Sequence, residues 1–426
     1  MMFKNVIKIN LEDSNYFDFG NGLWKGKKPP FKKVIVIRNT NFTDSGKINL
    51  SNVAVLEVEE IQFDKKNLKS GDIIIERSGG GPKQPVGRVV FFDLNHGDYS
   101  FSNFTSRIRV INQSFDPNFI FYFLHNFYQE GMTEKFQAHT TGIRNLDFNK
   151  YKEAIYVPLL PLSEQNKITY LLNTVQKAIE QQDKLIRTTT ELKKALMQKL
   201  FTEGTRSEPQ EETDIGLLPE SWDVASIGDM YTFTKKPRGL NIQTPVPFIP
   251  MELVPLSEMK IENYELRDKV SSGTYVENGD LLLAKITPSF ENGKQGFVSI
   301  DKPCAYATTE VIPIKDIEKL SDKFYLFYYL LKEDIRNQLT SKMEGSTGRQ
   351  RLSKTILEQT LIPKPSLNEQ KKIAELLISF DKKISYCNKK KQTLTALLKT
   401  LLHELMTGQR RVHELEFEKM EDFNTL

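Results

Sequence analysis

The sequence predicts an α+β protein in which two tandem globules are separated by two long helices. The helices pair as an antiparallel, coiled-coil-like spacer, and the chain repeats about a pseudo-twofold axis. Three observations carry this reading. Residues 158–168 read PLLPLSEQNKI and residues 363–373 read PKPSLNEQKKI, one helix start written twice with a constant offset of 205 positions. Each start opens a stretch of about 40 residues that is apolar in steps of four and three, the seam of a heptad repeat. The segments before each start also answer one another, which marks a duplication rather than two unrelated helices.

Length and composition set the frame. A chain of 426 residues, 39% apolar and 27% charged, has room for two to four domains with cores of their own. No run approaches the roughly 18 apolar residues of a membrane span, and the opening MMFKNVIKINLEDSN lacks the apolar centre of a signal peptide. The expectation is a cytoplasmic protein with no membrane partner. Two cysteines, Cys304 and Cys387, are too few for a disulfide framework, and the five histidines show no ligand spacing. A net charge of +4 excludes a strong global field, so a polyanion would have to be held by local patches.

The elements follow in order. FKKVIVIRNTNF is answered by TPVPFIPMELV, LKSGDIIIERSGG by VENGDLLLAKITP, and VGRVVFF by QGFVSI; these read as short strands with Gly-Asp turns. DPNFIFYFLHNF and SDKFYLFYYLLK read as aromatic-rich helices capped by Asp116 and Asp322. The polar loops AHTTGIRNLD and GSTGRQRLSK come next, each leading into a proline-headed long helix. The resulting division is a first globule over 1–157, a central long helix over 158–208, a second globule over 209–360, a distal long helix over 361–412 and a tail over 413–426. The polar, proline-bearing stretch after the first helix suits a domain boundary.

On the first helix the seam holds Ile168, Leu172, Val175, Ile179, Ile186, Leu196 and Leu200. On the second it holds Ile373, Leu377, Phe380, Ile384, Leu394, Leu398, Leu401 and Leu405. At ~1.5 Å per residue a 40-residue helix is about 60 Å long, so its apolar stripe needs a partner of equal length. Its own copy is the natural one. Lys193 and Lys391 interrupt the stripe and are expected to turn their ammonium groups outward.

These residues resemble the specificity (DNA-recognition) subunit of type I restriction-modification enzymes. The likeness rests on the two helix starts, on STGRQRLS before the second, on DIGLLPESWDVASIGDM opening the second globule, and on the paired Gly-Asp strands. It implies two target-recognition domains, each reading one half of an asymmetric, split double-stranded DNA site. The long helices would set the spacing and dock two modification (methyltransferase) subunits, and restriction (translocase and nuclease) subunits would join them. The chain would bind no cofactor; S-adenosylmethionine, with ATP and Mg2+ where a restriction subunit is present, would belong to the partners. The chain departs from the pattern at its N-terminus, which lacks the Leu-Pro-x-x-Trp entry seen at Leu218, Pro219 and Trp222.

Two other readings compete. A self-contained DNA adenine methyltransferase would use DPNF at residues 116–119 as its catalytic loop, but the chain lacks a glycine-rich cofactor turn in the right context. GGGPKQPVGR does not follow the order of a phosphate-cradling P-loop. A duplicated protein-binding scaffold without DNA affinity is the third reading. The sequence therefore assigns no catalytic residue and no metal ligand.

Candidate DNA contacts are Lys, Arg, Asn, Gln and small hydroxyls on polar loops. In the first globule these are Lys25, Lys27 and Lys28; Arg77, Ser78, Gly80, Lys83, Gln84 and Arg88; and Thr141 and Arg144. In the second they are Lys235, Lys236 and Arg238; Lys285, Thr287, Ser289, Asn292, Lys294 and Gln295; and Ser346, Thr347 and Arg349. The glycines of the first loop are expected to let backbone amides approach a phosphate; Arg88 would either pair with a guanine or, with Arg77 and Lys83, touch only phosphates.

Overall fold

The computed structural model describes residues 3, 6–26, 28–81, 84–140, 143–256, 258–346 and 348–414. The chain forms two compact units, one of Met1–Gln182 with Lys390–Leu426 and one of Asp183–Lys389. The division falls inside both long helices, Leu162–Glu203 and Leu367–Thr407, so each unit holds one half of each.

In the first unit, a four-stranded antiparallel sheet runs in the order Phe17–Asn21, Thr105–Val110, Asp72–Glu76, Val89–Phe92. A second sheet places Phe31–Ile37 between Ala54–Glu59 and Tyr99–Phe101. The helix Pro117–Gln129 buries nearly every side chain from Phe119 to Asn126. The expected cap is present, since the Asp116 carboxylate accepts from the Asn118 amide at 3.1 Å. The predicted role of Asp116 as a helix cap is therefore present in the fold.

The second unit repeats the plan. Leu281–Ala284 lies between Val311–Asp316 and Gln295–Val298, and Asp322 caps Lys323–Tyr329 through the Tyr325 amide at 2.9 Å. Phe31–Ile37 and Val246–Ile249 are each followed within two residues by a short 3-10 turn. Lys8–Asn10 pairs with Tyr156–Pro158 as Asp223–Ser226 pairs with Leu361–Lys364. The first unit thus makes its opening strand without the Leu-Pro-x-x-Trp signal.

The helix seam forms inside each unit. In the first, Ile168, Leu172, Val175 and Ile179 share a core with Leu401 and Leu405, with Leu394 and Leu398 packed against it. In the second, Leu200 shares a core with Ile373 and Leu377, and Leu196 packs on it. The start of one helix therefore meets the end of the other, the antiparallel pairing read from the sequence. Ile186, Phe380 and Ile384 are half-buried, at the same steps of three and four. One expectation needs correction. Lys193 does not turn outward: its ammonium donates to Asp381 Oδ1 at 2.6 Å and lies 5.0 Å from the Tyr328 ring, whose hydroxyl donates to Asp381 Oδ2 at 2.6 Å.

The repeated Glu-Gln dipeptide has a structural task. Gln165 is fully buried; its carbonyl accepts from the Asp116 amide at 2.9 Å and its NH2 donates to Ser114 and Leu160 carbonyls, both at 2.8 Å. Gln370 does the same for the Asp322 amide (2.9 Å) and the Leu320 and Pro365 carbonyls (3.2 and 3.0 Å). Each glutamine locks the start of a long helix to the capped helix of its globule. The glutamate beside it holds the chain that follows the other long helix. Glu164 takes both nitrogens of Arg411 (2.7 and 2.5 Å), and Glu369 accepts from Thr205 N and Oγ1 (both 2.9 Å) and from Trp222 Nε1 (3.3 Å).

Candidate nucleic-acid interface

Each unit gathers two of its three predicted loop clusters onto one surface, by the same backbone bonds. In the first unit Arg77 donates its amide to the Phe104 carbonyl at 2.8 Å, and Leu146 donates to the Arg77 carbonyl at 2.8 Å. The hairpin of Gln137–Thr140 and Ile143–Leu146 is thereby zipped onto Ser78–Gly80, with Arg144 opposite Gly80 and Asn145 opposite Ser78. Ser78 Oγ donates to Asn145 Oδ1 at 2.5 Å. In the second unit Lys285 donates to the Glu310 carbonyl at 2.9 Å and Leu352 to the Lys285 carbonyl at 2.8 Å. That joins the hairpin of Glu344–Ser346 and Arg349–Arg351 to the loop that follows Leu281–Ala284.

The third cluster is tied to this surface in the first unit. Leu23 bridges to Ser102, and Gly22 sits so close that a Cβ there would lie 1.9 Å from the Ser102 carbonyl oxygen. This tight contact holds residues 22–25 beside the turn that carries Phe104. Arg77 links the same parts, donating through Nη1 to Asn21 Oδ1 at 2.9 Å. Lys25 and Lys28 are exposed. In the second unit Lys235, Lys236 and Arg238 are exposed, and Lys236 lies 5.4 Å from the Tyr306 ring.

Several predicted contacts prove to be internal supports. Arg88 is only 12% exposed and is clasped by Glu76 (2.9 and 3.0 Å), while its Nη2 also donates to the Asn39 carbonyl at 3.1 Å. Asn39 in turn donates to Glu76 and to the Ser78 carbonyl, so the pair stiffens the base of the loop rather than reaching for a guanine. Gly80 is buried, and a Cβ there would meet Val86 Cγ1 at 2.6 Å; its role is close packing in a strand pair, not a phosphate cradle. Gln295 is buried too, its NH2 donating to the Phe327 carbonyl at 2.7 Å and its carbonyl accepting from Arg336 at 3.2 Å. Lys294 spends its ammonium on the Met251 carbonyl at 2.8 Å.

The remaining positions lie at or near the surface. Gln84, Asn292, Ser346 and Arg349 are exposed, and Arg77, Ser78, Arg144, Lys285, Thr287 and Ser289 are half-buried. Lys27, Lys83, Thr141 and Thr347 lie outside the described residues.

The structure adds residues that the sequence reading missed. Glu310 and Arg351 form a two-pronged ion pair (2.9 and 2.7 Å) on the second surface, with side chains 22% and 42% exposed. The hydrogen bond from Arg351 holds the Glu310 carboxyl below the usual carboxylate range. Phe104 occupies the place of Glu310 in the first unit, and Asn145 the place of Arg351. Beneath the second surface, buried Arg336 donates to Phe290, Leu330 and Gln295 oxygens; burial pushes its pKa down to about 10. It anchors the loop from inside through Phe290. No single offset aligns the two surfaces, since Arg77 and Lys285 stand 208 positions apart while Phe104 and Glu310 stand 206 apart; the backbone pairing is what matches them.

Chemically, both surfaces offer donors, acceptors and cations on a rigid backbone. Among the described residues no group of three or more His, Cys, Asp and Glu side chains stands where it could hold a metal ion. No described helix is long and apolar enough to cross a membrane.

Comparison with known proteins follows the same division. The family model of the type I restriction modification DNA specificity domain matches residues 15–188 and again 219–396. The MjaVIII specificity subunit of Methanocaldococcus jannaschii, a type I restriction enzyme subunit, is 29% identical over 312 residues, covering 69% of this chain and 72% of that one. The putative MjaX specificity subunit of the same organism is 25% identical, covering 88% and 87%. Among solved structures, the type I restriction-modification S subunit from M. genitalium aligns with a TM-score of 0.58 at 18% identity, over 95% of this chain and 97% of that one.

Proposed function

The chain belongs to the type I restriction modification DNA specificity domain family, with two copies of the domain, and from that premise we propose that its two surfaces read the two halves of an asymmetric bipartite DNA site. One observation carries the reading. The same backbone bonds build the same surface twice, Arg77 to Phe104 and Lys285 to Glu310, and then clothe it with different side chains. A duplicated frame with altered residues is what two half-sites of different sequence require.

The division of labour follows from the types of group. Lys25, Lys28, Lys235, Lys236, Arg238 and Arg349 supply the cations that neutralise phosphates and set a salt-dependent affinity. Base edges are read by Ser78, Asn145 and Arg144 in one unit and by Glu310, Arg351 and Asn292 in the other, where a carboxylate suits the cytosine amino group and a guanidinium suits guanine. The long helices dock two modification subunits, and those partners carry S-adenosylmethionine and the methyl transfer. Restriction subunits, with ATP and Mg2+, complete the assembly in the cytoplasm. This chain's own part is binding and positioning.

Methylated adenines mapped across a genome, in cells that supply the modification subunits, test the reading. Replacing Arg144 and Asn145 by Ala should relax one half of the recognised motif, and replacing Arg349 and Arg351 should relax the other. Each lost base contact is worth about 1–3 kcal/mol. Either pair altering both halves, or neither altering any, would overturn it.

A further inference from the structure

Two exposed aromatic side chains stand on the first surface, and the donors and cations assigned so far leave them without a task. Phe104 is 49% exposed and Trp24 is 65% exposed. Scattered apolar residues on a surface need no explanation, but these two are neither scattered nor loosely held. Phe104 sits on a turn closed by the Thr105 amide and hydroxyl, both donating to the Ser102 carbonyl (3.0 and 2.8 Å). Its own carbonyl takes the amides of Arg77 and Ser78. Trp24 follows Leu23, which bridges to Ser102 in the same turn, and its amide donates to Gln62 Oε1 at 3.1 Å. The backbone thus holds both residues on this surface beside Lys25 and Arg77, and both rings face solvent.

We infer that Trp24 and Phe104 make an apolar contact with the bases of the first half-site. The inference rests on the DNA-reading function proposed above and adds a kind of contact that cations cannot make. An aromatic ring contributes against a thymine methyl or a base face without releasing a counterion, so its share of the affinity does not depend on salt. The neighbouring cations select DNA as the occupant, because Lys25 and the part-exposed Arg77 complement a phosphate backbone. In the second unit Glu310 takes the place of Phe104, paired to Arg351, and Lys235, Lys236 and Arg238 follow the strand Tyr231–Phe233. The first half-site is therefore held by a larger apolar share than the second.

Fluorescence of the full chain tests this, since the sequence has two tryptophans and Trp222 is buried. Emission open to iodide belongs to Trp24, which a Trp24→Phe control verifies. On titration with a duplex carrying the mapped site, that emission should lose most of its iodide sensitivity. Trp24→Ala with Phe104→Ala should weaken binding about tenfold at every salt concentration, with the slope of log K against log salt unchanged. Phe104→Tyr should bind as the natural chain does, which separates loss of the ring from loss of folding. Saturation with Trp24 still open to iodide, or a double variant of unchanged affinity, would overturn the inference while leaving the reading of DNA intact. Weaker capture of the modification subunits with unchanged DNA affinity would overturn it too, by assigning the rings to a protein partner. Absence of salt-dependent binding by the natural chain would instead sink the proposed function itself.

Discussion

Gln165 is the most demanding single residue of the first unit. Its amide satisfies the Asp116 N–H and the carbonyls of Ser114 and Leu160 at once, from a fully buried position. A buried polar group left without a partner costs about 1–3 kcal/mol. Gln165→Ala strands three such groups, of which those at Asp116 and Ser114 lie where water can return in part; the loss should be about 3 kcal/mol. Gln165→Glu sharpens the test. A carboxylate can still accept from Asp116 but meets the Ser114 and Leu160 carbonyls with no hydrogen to offer, so at neutral pH it should destabilise more than Ala despite its better fit. Urea unfolding followed by circular dichroism measures both variants. Gln370→Ala and Gln370→Glu should repeat the order in the second unit. If Gln165→Glu proved as stable as the natural chain, or lay above Gln165→Ala, the latch would not be held by the donors of this amide.

Three further outcomes follow from particular contacts. His125 is buried against Phe121, and burial pushes its pKa down to about 4, so from about pH 6.5 to pH 4 the unfolded chain takes a proton that the folded one refuses. Stability should be unaffected by this group above pH 6.5 and fall by about 3 kcal/mol as pH drops through that window; a His125→Phe chain with the same acid slope in urea melts would refute the assignment. Lys193→Met should cost about 1–3 kcal/mol by leaving Asp381 to the Tyr328 hydroxyl alone, and Lys193→Met with Asp381→Leu should cost less than the two single changes added together; additive losses in the double-mutant cycle would show that the pair is uncoupled. Residues 1–208 alone lack the Leu401 and Leu405 side of their core, so the fragment should recruit a second copy, and light scattering from a folded monomer would contradict the pairing.

What was legible in the sequence was what local pattern encodes. The heptad steps gave the seam, and Asp116 and Asp322 gave two helix starts. Lys193 was read as an intruder because its partner Asp381 lies 188 positions away, and separation in the chain says nothing about register across a helix pair. Arg88 and Gln295 were read as readers of DNA because a polar residue in a loop looks exposed. Burial depends instead on Glu76 and Arg336 lying behind them, on other strands and helices. Phe104 and Glu310 were missed for the opposite reason: neither type stands out in a polar turn, and only the strand pairing sets them at equivalent places.

The doubled Glu-Gln dipeptide ties these observations together. The glutamine serves its own globule, and the glutamate serves the far end of the other helix, so one two-residue word states both contacts needed to close a unit. Arg411 clasps Glu164, and Arg206, 205 positions earlier in the chain, lies 3.8 Å from Glu369, where Trp222 and Thr205 have taken over most of the bonding. Residue i meets j in one unit as the copy of j meets the copy of i in the other, the relation of an isologous dimer written into a single chain. Lys193 and Asp381 break that symmetry. Shifting each by 205 positions gives Leu398 and Gln176, so the repeat does not copy this ion pair into the first unit. Lys193 and Tyr328 therefore meet at Asp381 in the second unit alone, so the two units share the frame set by the Glu-Gln word while each adds bonds of its own, as two readers of different half-sites require.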